Sequence, residues 1–539
     1  MGILQRLGLG RTSLPPNINT LLQIISKRAE RLDAHQQAET FVSLGGIEHT
    51  VLNHDNRIIF GRRGTGKTHV MAYVADAARK KGEMALLLDL CTIGSNSYIY
   101  ADESLSFSER ATRLLRDFLS GLHDALLDEI TTPRTVHNIN RLSPIIDQLG
   151  NAVKEVVVRE TIERTDSHEG FSESTVGAEG TAKTSMVSAS IELKGKGEQK
   201  RTGSTATEIV EKGHPRLSVN IGEVNRALAE LSMRVNKRIW VLIDEWSTLP
   251  EVLQPYLGDF IERTLFAIRN YSVQIAAIEQ RSNFREGHGP EIIGIELGSD
   301  AFADINLDDH LVFENSPQRA ITFFKEMLYR HLLAVADNAV PARDADDFLR
   351  IAFTQASMFR ELVRACEGVP RDAINIIQIA ATRAQDDKIS NPHIRDAAKD
   401  WNDRDKATYV NNNTETNALL HWVIGDVIGE RKAKAFLVRS DARDEILDRL
   451  FDERILHIAE KSYSTKQEPG RRYTVWKLDY GCYVDLINTS RAPTGFLFEG
   501  LEDDENWMVT VPEDDFRAIR RAILDLDEFY SRSDNSTSV

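Results

Sequence analysis

Residues Ile58–Val70 read "IIFGRRGTGKTHV", and no other stretch constrains this chain as much. Gly61-Arg62-Arg63-Gly64-Thr65-Gly66-Lys67-Thr68 is a complete G-x-x-x-x-G-K-T. The "NRIIF" ahead of it is short, β-branched and apolar, which predicts a buried parallel strand. The "THVMAYVADAARKKG" behind it keeps helical spacing and stops at Lys80, Lys81 and Gly82. Strand, glycine loop and helix is the context in which such a loop closes on phosphates. Glycines let backbone N–H groups approach without a Cβ in the way, and the helix N-terminus adds partial positive charge. Lys67 is expected to bridge the β- and γ-phosphates, and the Thr68 hydroxyl to ligate magnesium. The predicted nucleotide contacts run from Gly61 through Thr68, with His69 next in line.

A second stretch separates holding a nucleotide from cutting it. In "KRIWVLIDEWSTLP", apolar residues Trp240 to Ile243 lead into Asp244-Glu245. That is the end of a buried strand, where α/β sheets place their ligands. Asp244 is expected in the magnesium shell and Glu245 as general base for the attacking water. The next predicted strand, "SVQIAAIEQ", ends in Glu279-Gln280, candidate readers of the nucleotide's state. Arg281 and Arg285 follow, as candidates to reach a neighbouring subunit's nucleotide, though a solvated loop explains either one alone. In "ACEGVPRDAINIIQIAATRAQ", Pro370 suits a first helical turn and Asp372 its positive end. Arg371 then projects from a helix start toward the phosphates.

Composition narrows the classes. A chain of 539 residues is long enough for several domains. Its net charge of -16 argues against a generally basic nucleic-acid coat, while leaving room for a local patch. No apolar run approaches the ~18 residues of a membrane span, and no secretory signal is evident. Cys91, Cys366 and Cys482 have no metal spacing and are expected to be buried in a reducing, cytoplasmic setting.

The ordered series of glycine loop, Asp244-Glu245, polar strand tip and "GVPRD" helix start resembles AAA+ ATPases of the origin-recognition and replication-initiator type. The resemblance covers roughly residues 40–490, and its specific parts are "FGRRGTGKT" and "VLIDEW". It implies an α/β fold, a P-loop AAA+ parallel-sheet core with a helical lid, followed by a C-terminal winged-helix-like domain. It also implies ATP and Mg2+ as cofactors, Lys67, Glu245 and Arg371 as catalytic residues, and Thr68 and Asp244 at the metal. Bacterial relatives in mobile-element or defence clusters are the nearer likeness, so an effector protein from the same gene cluster is an expected partner. Such initiators carry Asn at the strand tip where this chain has Glu279-Gln280, which departs from the pattern. The spacing from Lys67 to Asp244 is also longer than a compact core requires.

The expected organisation is a helical extension over 1–40, a core over 41–315, a lid over 316–412, a winged-helix-like domain over 413–490 and an acidic tail over 491–539. The core carries an insertion at about 100–215. In it, "SLSFSERATRLLRDFLSGLHDALLDEI" and "NINRLSPIIDQLGNAVKEV" read as helices. The run "SMVSASIEL" reads as a hairpin strand before a basic tip of Lys194, Lys196, Lys200 and Arg201. That tip suits nucleic-acid phosphates, a solvated linker or a strap between subunits alike. The recognition-type helix of the winged domain is acidic, with Asp441, Asp444, Glu445, Asp448, Asp452 and Glu453 against Arg443, Arg449 and Arg454, so insertion into DNA is not expected. Lys466, Arg471 and Arg472 on the wing keep a phosphate contact open. The tail reads as a helix after Pro512 with an apolar face of Ile519, Ile523, Leu526, Phe529 and Tyr530, docked on the body.

Two functions remain: an ATPase that forms a homo-oligomer and acts on DNA or RNA without a membrane, and an ATP-gated switch or scaffold that recruits a protein effector.

Overall fold

The computed structural model describes residues 17–26, 34–43, 45–93, 97–131, 139–151, 153–161, 211–288, 291–313, 316–336, 340–429, 435–464, 470–487 and 522–536. At its centre, β1 (Arg57–Phe60) and β2 (Met84–Asp89) belong to one sheet. The antiparallel pair β3 (Val153–Thr161) and β4 (Glu211–Val219) leaves that sheet. The sheet is completed by β5 (Ile239–Asp244), β6 (Tyr271–Ala277) and, after a small hairpin of β7 (Arg285–His288) and β8 (Glu291–Gly294), by β9 (Phe302–Asn306). The order is β2-β5-β6-β1-β9, and every neighbouring pair is parallel. The glycine-loop strand β1 and the acid-pair strand β5 are therefore separated by β6, and the loops after all three open at one edge.

Both faces of this sheet are buried, and the strand pleat sorts the side chains between them. Ile59, Trp240, Leu242 and Ala276 join the core under helices Lys67–Lys80, Pro317–Val335 and Pro370–Ala384. Ile58, Phe60, Val241, Ile243, Val273 and Ile275 join the core on the opposite face. That second face is covered by helices Phe107–Thr131, Ile139–Asn151, Ile221–Val235 and Gln254–Ile261. Leu114, Phe118, Leu122, Leu126, Ile145 and Leu149 are all buried there. The first half of the expected insertion is thus part of the sheet's own core.

The expected second insertion helix ends at Asn151, and Val153–Thr161 is strand. Three consecutive valines, Val156 to Val158, favour that outcome. "SMVSASIEL" lies outside the described residues.

The helix Ile18–Gln23 is fastened to the helix Pro370–Ala384 and the turn after it. Ile18, Leu21 and Leu22 are buried, and Asn19 Nδ2 donates to Gln385 O and Asp387 O, both at 2.8 Å. Gln378 Nε2 returns a bond to Ile25 O at 2.6 Å.

C-terminal to these helices, β10 (Ala435–Arg439), helix Glu445–Asp452, β11 (Leu456–Ser464) and β12 (Arg472–Leu478) form a module around a three-stranded antiparallel sheet in the order β10-β12-β11. The tail docks on it. Leu437 N donates to Ala522 O at 2.7 Å, Leu524 N donates to Leu437 O at 2.8 Å, and Phe529 is buried in the module's core. Ile523 was expected on a helix face; it forms a bridge with Leu437, and the helix begins at Leu526. Ile519 and Pro512 lie outside the described residues. Cys366 and Cys482 are buried, whereas Cys91 is exposed in the turn after β2, its N–H on Asp89 Oδ1. Among the described residues no helix is long and apolar enough to cross a membrane.

Candidate nucleotide site

The cleft at the sheet edge has a volume of about 660 Å³ and is walled by the glycine loop, β2, β5, the helices Pro317–Val335 and Pro370–Ala384, and the segment 37–42. Gly64 and Gly66 hold φ of +88° and +103°, a region that favours glycine, and their turn aims the helix Lys67–Lys80 at the cleft. A Cβ on Gly64 would stand 2.8 Å from Arg371 Cβ, so glycine is also needed there for space.

Lys67 is buried and folded back on its own loop. Its Nζ donates to Gly61 O at 2.8 Å and to Arg62 O at 3.1 Å. Burial lowers its pKa, against the opposing pull of the Asp244 and Glu245 carboxylates. Thr68 Oγ1 donates to Asp244 Oδ2 at 2.7 Å, and Asp244 Oδ1 accepts from the Glu245 N–H at 2.8 Å. Glu245 sits at φ +58°, a left-handed conformation uncommon for a glutamate. Burial raises its pKa; Lys67 opposes the rise and Asp244 adds to it. At the start of the helix Pro370–Ala384, Arg371 N donates to Gly64 O at 3.2 Å, and Arg371 lines the cleft.

Oxygen donors from Thr68 and Asp244 form the kind of hard pair that suits magnesium, whose remaining ligands are usually water and phosphate. Among the described residues no group of three His, Cys, Asp or Glu is gathered as a metal would need.

Deeper in the cleft are Thr40, Phe41, His69, Phe323, Met327 and His331. His69 Nε2 lies 3.0 Å from Thr40 Oγ1, and the ring is 5.8 Å from that of His331. Burial, with His331 beside it, pushes His69 down to about 4, so the ring is neutral at physiological pH. Thr40, Phe41, Phe323, Met327 and His331 belong to no motif, so nothing in the sequence marks them. Asp89, at the tip of β2, also lines the cleft and was missed for the same reason.

Several expected contacts lie elsewhere. Arg63 is exposed on the cleft, but the Arg62 side chain turns out of it, drawn by the Asp308 carboxylate. Glu279 and Gln280 line a separate small cavity beside the C-terminal module. Glu279 accepts from Asn306 Nδ2 at 2.8 Å and pairs with Lys461 at 3.4 Å, which accounts for its direction. Arg281 pairs within the chain to Asp452 at 3.5 Å, and Arg285 to Glu296 at 3.1 Å. Arg471 and Arg472 are exposed at the start of β12. Lys194, Lys196, Lys200, Arg201 and Lys466 lie outside the described residues.

The acidic helix Glu445–Asp452 is not directed at solvent alone. Its Phe451 lies under the Arg62 guanidinium, 4.3 Å from carbon to ring centre, and Asp452 is buried beside Arg281. Burial pushes both Asp448 and Asp452 up to about 6.

No family model matches this sequence, and no curated protein matches it. Among solved structures, 23 chains match. One of them, the Drosophila ORC bound to DNA, is 12% identical over 88% of this chain and 94% of that chain, with a TM-score of 0.29. A likeness that slight carries no argument.

Proposed function

We propose that this chain is a magnesium-dependent AAA+ ATPase of the replication-initiator type, converting ATP and water to ADP and phosphate. One observation carries the reading: Lys67, Thr68, Asp244, Glu245 and Arg371, from three separated stretches, line a single cleft. The parallel order with β6 between the glycine-loop strand and the acid-pair strand supports it. In this reading Lys67 leaves its two loop carbonyls for phosphate oxygens. Glu245, beside Lys67 and Asp244, takes the proton of the attacking water. Thr68 and Asp244 would hold magnesium, which when bound offsets charge on the phosphates. Arg371 reaches the phosphates from the lid. Residues 316–412 act as that lid, and 413–490 as the winged-helix-like domain.

The protein then assembles as a nucleotide-dependent homo-oligomer in the cytoplasm and acts on nucleic acid, in replication of mobile elements or defence against them. Arg471 and Arg472 supply the described positive charge at the wing. A second reading, an ATP-gated switch that recruits a protein effector, is favoured by one specific observation. The helix that would read DNA is packed on Arg62 and Arg281 instead.

Phosphate release measured with magnesium and again after chelation tests the enzyme. Release that stops on chelation is expected, and none in either condition would overturn it. Light scattering with ATP, with and without a short duplex, then separates the readings. A nucleotide-dependent oligomer that takes up duplex supports the first; one indifferent to duplex supports the second.

A further inference from the structure

The glycine loop is gripped from behind as well as opened in front. Arg62 is only 4% exposed. Its backbone N–H donates to Asp308 Oδ2 at 2.8 Å and its Nε to Asp308 Oδ1 at 2.7 Å. Its Nη1 reaches the C-terminal module, donating to Leu456 O at 3.2 Å and meeting His457 Nδ1 at 3.1 Å. The carbonyl of the same residue faces the phosphate side, accepting from Thr65 Oγ1 at 2.8 Å and from Lys67 Nζ at 3.1 Å. One residue therefore joins the phosphate lysine to the module.

The module continues the connection. A guanidinium can only donate, so His457 Nδ1 must accept from Arg62. The ring proton is then on Nε2, which donates to Asp479 Oδ2 at 3.1 Å. Asp479 also takes Lys406 Nζ at 2.5 Å, and Lys406 pairs with Asp372 at 2.9 Å. Asp372 follows Arg371, whose N–H is on Gly64 O at 3.2 Å. The path leaves the loop at Arg62 and returns to it at Gly64. His457, Asp479, Lys406 and Asp372 are each 2% exposed or less. Burial excludes water as a substitute partner, so a lost member leaves its neighbours short of a bond; Arg454 beside Asp372 and the Gly481 N–H on Asp479 Oδ1 brace the path from the side.

We infer that His457, Asp479 and Lys406 are positioning residues for the nucleotide cleft, holding the glycine loop through Arg62 and sensing its occupancy in return. The inference rests on the reading that the cleft binds ATP. When Lys67 turns to a phosphate, the Arg62 carbonyl loses a charge-assisted bond. A pinned Arg62 side chain keeps that peptide, and the N–H groups after it, from relaxing. Binding free energies are reciprocal, so whatever the docked module adds to nucleotide affinity, nucleotide returns to the module's docking.

The test uses the full chain, a fluorescent ADP with magnesium, and hydrogen exchange of amides 435–464. In the wild type, nucleotide should slow exchange there. His457→Phe keeps the bulk but loses both bonds; it should raise Kd about tenfold, with the exchange response lost. His457→Asn, whose Oδ1 stands near the Nδ1 position, should recover most of the affinity. Leu450→Ala, which trims the module's core without removing a member of the path, should lower Tm yet keep the exchange response. Unchanged affinity in His457→Phe would overturn the inference, as would equal weakening by Leu450→Ala. Exchange indifferent to nucleotide in a wild type that binds it would do so too. If His457→Phe fails to fold, Asn alone decides: exchange that responds to nucleotide as in wild type, with affinity unchanged, overturns the claim, and a partial loss of both supports it. A wild type that binds no nucleotide removes the ATP reading itself, and the coupling with it.

Discussion

Arg62 and Arg63 are neighbours in one motif and meet opposite fates. Arg63 is exposed on the cleft, where solvent screens its charge. Arg62 is buried, paired to Asp308 and laid over Phe451 on the far side of the loop. The same contrast holds for the regions around them. The cleft is open and built from groups with unfinished work: a lysine on borrowed carbonyls and a carboxylate pushed up by burial. The circuit behind it is buried, linked by hydrogen bonds from Arg62 to Asp479 and by ion pairs from there to Asp372. The difference teaches that one loop can be a reactive surface on one side and a structural joint on the other. Substitutions should sort accordingly, moving binding and turnover at nearly fixed stability on the cleft side, and stability with a smaller change of affinity on the other.

Lys67→Ala should show the cleft side at its strongest. Losing a buried cation with two charge-assisted bonds to phosphate should weaken ATP binding at least about a hundredfold. Titration calorimetry checks this, and Tm should stay nearly fixed. Lys406→Met should fall first on stability, with affinity weakened less than in Lys67→Ala. It leaves Asp372 and Asp479 buried without their shared cation, a loss of about 3–5 kcal/mol read by urea denaturation.

A pH series sharpens the contrast further. Burial pushes His457 from 6.5 down to about 3. Between those values the unfolded chain takes up a proton that the folded chain refuses. The contribution of this histidine is therefore whole above 6.5 and fades as pH falls. The stability gap between wild type and His457→Asn should narrow by about 2 kcal/mol from pH 7 to pH 5. Asp448 and Asp452, raised to about 6, act in the opposite sense but are common to both proteins. Arg63→Ala is the smallest change. An exposed charge contact contributes about 1 kcal/mol or less, so ATP affinity should fall by no more than about fivefold.

The cleft was legible in the sequence because its chemistry needs neighbours. Gly66, Lys67 and Thr68 must be adjacent for loop, cation and hydroxyl to meet one phosphate, and Asp244-Glu245 must end a buried strand. The strands were legible for a related reason: burial on both faces demands continuous apolar runs such as "RIIF" and "IWVLID". The circuit was not legible, since Arg62 lies 394 positions from Leu456 and 395 from His457. Asp372 illustrates the limit. At a helix start it reads as a residue favoured by the positive end, and only the fold brings Lys406 and Arg454 to it. Glu279 fails in the same way, because a strand tip says where a side chain begins but not which module draws it aside.

Glu245 carries the central claim, that the cleft cleaves the nucleotide it holds. Wild type and Glu245→Gln should be compared for fluorescent ATP binding and for phosphate release under the same conditions. The account predicts equal affinity, with turnover lowered by about 10²–10⁴-fold in the variant. Equal turnover in the two proteins would contradict it.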